Sequence, residues 1–166
     1  MKNKGFIILF AVNILLVIAD FVSTLLNGDL VQYLESNPLY KYGGLLLIFI
    51  VNILLYGFFY IVYNSKRPNI TSRFFIIFAM SMFMVLRIFT IYANLHVAYG
   101  VPQEIAEHNN ISIEQAKQIQ LAHAMTTTDE QRWNYTQQIV MPYIIPYIFV
   151  IIAWYIFKID HNIEVK

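Results

Sequence analysis

The chain has no cysteine, which removes a disulfide framework, a thiolate metal site and a thiol nucleophile from consideration. Charge is also scarce: Asp, Glu, Lys and Arg make up 13% of the 166 residues, and the formal net charge is +1. No run of Lys and Arg forms a basic stripe, so nucleic acid is not an expected partner. Pro and Gly are too scattered to mark a linker, and no internal repeat is evident. What remains is apolar: 58% hydrophobic residues and a mean hydropathy of +0.56. That is too apolar for a soluble domain, and the length suits one membrane domain over 1–166.

Four apolar runs organise the chain, at about 6–26, 42–62, 74–97 and 139–156. The first follows Lys2 and Lys4 as a signal peptide would, but it is long enough to span and no small-residue cleavage site follows before Gly28. It is expected to be a retained first helix. The turn NSKRPNITSR separates the second and third runs, with Pro68 and Asn69 stopping one helix before Thr71 or Ser72 caps the next. Between the third and fourth runs lies a polar stretch, 98–138. Ser112 with Gln115 forms a capping box ahead of a helix whose expected apolar stripe is Ile113, Ala116, Ile119 and Ala124. Thr128 with Gln131 forms a second box, and 102–108 suits a further short helical turn. The expected fold is therefore all-α: a polytopic bundle of four transmembrane helices, with an extracytoplasmic helical cap between helices three and four.

A cytoplasmic N-terminus puts Lys2, Lys4, Lys66, Arg67, Arg73, Lys158 and Lys166 inside and leaves Lys41, Lys117 and Arg132 outside. This bias predicts a multi-pass protein of the cell membrane with both termini cytoplasmic. Tyr33, Tyr40, Tyr42 and Tyr99 near the outer ends, and Tyr60, Tyr63 and Tyr155 near the inner ends, fit aromatic belts.

The polar residues inside the runs point to a site. Asn13, Asp20, Ser23, Thr24 and Asn27 fall on one face of the first helix, and Arg87, Thr90 and Asn94 on one face of the third. An aspartate facing lipid is costly, so the first face is expected to point into the bundle. Asp20 and Arg87 lie 14 and 13 residues along their runs, each roughly 20 Å deep at about 1.5 Å per residue. They are expected to pair, with Ser23, Thr24, Asn27, Thr90 and Asn94 extending a polar pocket outward from the pair and Glu35 and Asn37 on its rim. The alternatives are a pair that only pins two helices and hydroxyls bonded back to their own helix carbonyls. Asn52, near mid-membrane on helix two, is expected to hydrogen-bond Asn13 or the pair. Pro142 and Pro146 can bend helix four over the mouth, placing Tyr143 and Tyr147, one turn apart, against the pocket. His96 lies about 180° from Arg87 on the helical wheel, away from that pocket. Glu104 and His108 suit a surface pair, and no histidine has a partner at a recognised zinc spacing. Neither a metal site nor a cofactor is expected.

Asp20, Ser23 and Thr24, then Gly28, then Glu35-Ser-Asn37-Pro38-Leu39, with Asn94 late in helix three, form a pattern over roughly the first 97 residues. It resembles an uncharacterised family of small prokaryotic membrane proteins, a domain of unknown function. The resemblance implies a fold and a site region without an activity. Where that family often has a lysine in its second span, this chain has Asn52, and the long outer insert lies beyond the match. The four-span lipoprotein signal peptidases are similar in length, but they use two catalytic aspartates near the outer surface, and here Asp20 is the only aspartate within a run.

Three functions suit such a chain. The first is a ligand-binding or accessory protein whose pocket receives a small ligand, a lipid headgroup or a segment of a membrane protein partner. The second is an enzyme acting on a lipid or lipidated substrate at the outer surface, with Asp20 or Glu35 as acid or base. The third is a small oligomeric transporter coupled to protons or cations through Asp20. No catalytic residue is assigned by the sequence, and membrane lipid is the expected surrounding.

Overall fold

Long apolar runs become helices here because a chain without water must satisfy its backbone polar groups internally. In the computed structural model, which describes residues 3–35, 37, 39–65, 70–128, 131 and 145–161, every regular element among the described residues is helical. The first run forms α1 (Lys4–Leu25), in which Phe6, Leu9, Asn13 and Val17 recur at helical spacing and are buried. Gly28, at φ 52°, then turns the chain through a short 3₁₀ segment into α2 (Val31–Leu34). A side chain at that left-handed φ would cost roughly 1–2 kcal/mol. The second run forms α3 (Tyr40–Asn64), kinked near its start where Gly44 takes φ 61°, ψ −161°, a conformation left almost entirely to glycine.

The third run does not stop where its apolar pattern ends. α4 (Ile70–Leu95) continues through a π-helical segment, His96–Gly100, into α5 (Val101–Asn109), so that Ile70–Asn109 is one helix of 40 residues. The short turn expected at 102–108 is thus a continuation of helix three. Pro102 explains the π register. The Val101 N–H donates to His96 O, one residue beyond the α-helical partner. The next bond in that register would run from residue 102 to Val97 O, but proline has no N–H to give. Gln120 of α6 (Ile113–Thr126) supplies the missing donor, with Nε2 2.9 Å from Val97 O.

Asn110, at φ 51°, ends α5, and Ser112 opens α6 with a reciprocal capping box to Gln115. α6 folds back along α5 and touches the Gly28–Leu30 turn and α2. Its buried face is Ala116, Gln120 and Ala124, whereas Ile113 and Ile119 are about half exposed. The stripe read from hydrophobicity is therefore shifted, because the bond from Gln120 to Val97 sets the rotation of the helix. Replacing Gln120 with leucine is expected to leave Val97 O unsatisfied, to cost about 1 kcal/mol locally because the buried, unpartnered Gln120 Oε1 is removed as well, and to speed amide exchange across 113–126. Unchanged exchange there would show that the hairpin is held by other contacts.

The second box also has its geometry: Gln131 N donates to Thr128 Oγ1 at 3.3 Å, and Thr128 N to Gln131 Oε1 at 3.0 Å. The described part of the fourth run is α7 (Ile145–His161), which runs past the expected end at 156, while 139–144 lie outside the described residues. Pro142 and Tyr143 lie outside the described residues, and so does the side chain of Tyr147.

α4 is the centre of the bundle, with α1 along one side and α7 along another; α3 leans on α1 and touches α4 less. The dense part of the core joins the start of α1 to the end of α3. Phe6 and Tyr63 are both fully buried, their rings stacked at 3.7 Å and 10°, with Ile77 and Met80 of α4 and Ala153 and Phe157 of α7 in the same cluster. Tyr63 is thus a core residue and not part of an aromatic belt, while Tyr42, Tyr99 and Tyr155 are well exposed. Helices α1 and α3 and the helix Ile70–Asn109 are long and apolar enough to cross a membrane, which fits an integral membrane protein.

Candidate functional site

Toward the far end of α1 the packing changes from apolar to polar. Asn13 is buried in the transition: its Nδ2 donates to Leu9 O at 2.9 Å, and its Oδ1 accepts from the Tyr56 hydroxyl at 2.9 Å. One step further out, Arg87 reaches across from α4. Its Nη1 donates to Asp20 Oδ2 at 2.7 Å, its Nη2 donates to Asn52 Oδ1, and its guanidinium carbon lies 5.8 Å from the centre of the Tyr56 ring. Asn52 is in turn fixed by a bond from its Nδ2 to Ile48 O at 2.8 Å. Of the two partners offered for Asn52 by the sequence, the structure has the ion pair, and Tyr56 takes Asn13.

Asn94, two turns beyond Arg87 on α4, ties the C-terminal half of α1. Its Nδ2 lies 2.9 Å from Thr24 Oγ1, 3.1 Å from Ser23 Oγ and 3.4 Å from Asp20 Oδ1. The Ser23 and Thr24 hydroxyls meanwhile donate to Asp20 O at 2.9 and 2.8 Å. Asn27 Nδ2 donates to Ser23 O and, at 3.3 Å, to Asn94 O. Thr90 bonds back to Leu86 O at 3.0 Å. In the connection before α3, Glu35 Oε1 accepts the Asn37 N–H at 2.7 Å, and Asn37 Oδ1 accepts the Leu39 N–H at 3.0 Å.

A partly open cavity of about 500 Å³ lies between α1, α3, α4 and this connection. Asp20, Thr24, Glu35, Asn37, Arg87, Thr90 and Asn94 all border it, with Asn52 beside the pair and apolar side chains such as Phe21, Phe49 and Phe83 completing the wall. Ser23 and Asn27 do not border it; they are buried behind the wall and hold α1 to α4. The split follows from helix geometry, since at about 100° per residue Ser23 and Thr24 cannot share one direction. Tyr56 was missed by the sequence reading, although it stands one turn after Asn52 on α3.

His96 is outside the cavity. It stacks on Tyr92 at 6.4 Å, and its Nε2 lies 4.0 Å from Glu104, so Glu104 faces His96 rather than His108. Among the described residues no group of three His, Asp or Glu side chains is placed to hold a metal ion.

Fold and site together define an all-helical, membrane-type bundle with a partly buried ion pair beside a polar cavity. Protein-family models, curated proteins and solved structures include no match to this chain.

Proposed function

We propose that the chain is a four-span protein of the cell membrane, both termini cytoplasmic, whose cavity opens outward and binds a ligand; it acts as a ligand-binding or accessory membrane protein. The observation that carries this reading is the cavity bordered by Asp20 and Arg87, deep within apolar helices where ionisable groups are costly unless used. α7 serves as the fourth span, its 17 described residues alone reaching the lower bound for crossing the hydrocarbon. The helix Ile70–Asn109 is about 60 Å long at 1.5 Å per residue, roughly twice the hydrocarbon thickness. Its polar end must therefore project, and α5 and α6 form the cap, with α6 against the α1–α3 connection beside the mouth. This reading keeps the chain with the small membrane-protein family that its first half resembles.

One observation favours a second reading. Asp20 and Glu35 both border the cavity, so an enzyme acting on a lipid or lipidated substrate would have an acid and a base facing one space.

The absence of cysteine makes the topology directly testable. In intact cells, a membrane-impermeant maleimide is expected to label Glu114→Cys on α6 and to leave Ser65→Cys, after α3, unlabelled until the membrane is opened. The reverse pattern would overturn the orientation and with it the outward opening.

A further inference from the structure

The hydrogen bonds already made within the cavity define the kind of ligand it lacks. Arg87 presents little to the space: its side chain is 12% exposed against 22% for Asp20, both Nη atoms are engaged, and Nε is buried. Its charge is matched by Asp20 at 2.7 Å. Glu35 then leaves the cavity with one negative charge in excess, since among the described residues no other Lys or Arg borders it. Beside the Asn37 Nδ2 amide, two carboxylate oxygens are left open as acceptors. Asp20 Oδ1 has only the 3.4 Å contact from Asn94, whose shorter bonds go to Thr24 and Ser23. Glu35 Oε2 has no hydrogen-bond partner among the described residues, because Oε1 takes the Asn37 N–H. Phe21 and Phe49, rings 4.9 Å apart, line the same cavity with Phe83 and Leu45.

Resting on the pocket reading above, we infer that the cavity takes a primary ammonium group carried on an apolar chain, the ammonium held between Asp20 and Glu35 and the chain laid against Phe21, Phe49 and Phe83. An ammonium group brings three donors and no acceptor, which meets the two open carboxylate oxygens, and its charge cancels the excess. Aromatic side chains in the cavity wall add attraction for a cation. An anion fits poorly, because the guanidinium that would hold it is spent on Asp20 and Asn52. The same chemistry occurs in a free alkylamine and in an aminoethyl lipid headgroup.

The test uses the full-length protein in nanodiscs of phosphatidylcholine, titrated by calorimetry with hexylammonium, hexanol and hexanoate. Hexylammonium is expected to bind at least tenfold more tightly than the other two, and Glu35→Gln, which keeps the oxygen that caps Asn37, is expected to lose about tenfold while leaving thermal unfolding unchanged. Equal binding of ammonium and alcohol, tighter binding of hexanoate, or no effect of Glu35→Gln overturns the assignment and leaves the pocket standing. Failure of all three compounds to bind overturns the pocket reading itself. Repeating the titration in nanodiscs with phosphatidylethanolamine separates the two sources, both within the inference: loss of hexylammonium binding assigns the lipid headgroup, and retention assigns a free amine.

Discussion

Arg87→Gln alone is expected to destabilise the folded protein by about 1–3 kcal/mol, because it leaves the partly buried Asp20 carboxylate without its countercharge. Asp20→Asn is expected to cost a similar amount from the other side, stranding a guanidinium whose remaining acceptor is Asn52. Combining the two should recover most of the loss. The reason is that a buried pair returns in attraction little more than the solvation its charges give up, so removing both together is far cheaper than removing one. The measurement is unfolding in mixed micelles for wild type, both single variants and the double variant, read as an interaction energy. Additive losses would mean that the 2.7 Å contact is not what couples α1 to α4. A stable double variant that has lost hexylammonium binding would separate the two roles of Asp20, as a partner of Arg87 and as an acceptor in the cavity.

Phe6→Ala is expected to be the most damaging change in the apolar half, at about 3–5 kcal/mol. Phe6 is fully buried and stacked on Tyr63, with Phe10 and Tyr60 also in ring contact. Lipid offers no hydrophobic drive for helices to associate, so the close fit of side chains such as these is what holds α1 to α3. Removing the ring opens a void that these neighbours cannot all fill. Thermal unfolding of the variant in detergent checks the magnitude. A loss under about 1 kcal/mol would show that the site collapses or that lipid fills it. Because the cluster lies at the opposite end of α1 from Asp20, ligand affinity should fall far less than stability.

Much of the fold follows from hydropathy alone. The runs at 6–26 and 42–62 differ from α1 (Lys4–Leu25) and α3 (Tyr40–Asn64) by at most two residues at each end, since a long unbroken apolar stretch in lipid can only be helical. The Ser112 box was equally legible, because the serine and the glutamine three residues on satisfy each other locally. The end of the third run was not. Its hydropathy falls after Val97, but a helix needs only satisfied backbone groups to continue, and the π register with Gln120 satisfies them around Pro102. The rotation of α6 was hidden for the same reason, as one long-range hydrogen bond outweighs the exposure of Ile113 and Ile119.

The sequence by itself determined that the chain is helical and apolar, that Asp20 must turn inward, and that Arg87 lies at a matching depth, because period, length and the cost of a charge in hydrocarbon are local or one-dimensional quantities. Only the tertiary structure decided that Asn52 accepts from Arg87 while Tyr56 takes Asn13, and that Ser23 and Asn27 stand behind the wall. Those outcomes depend on the rotation and tilt of each helix against its neighbours, which packing sets between segments far apart in the chain.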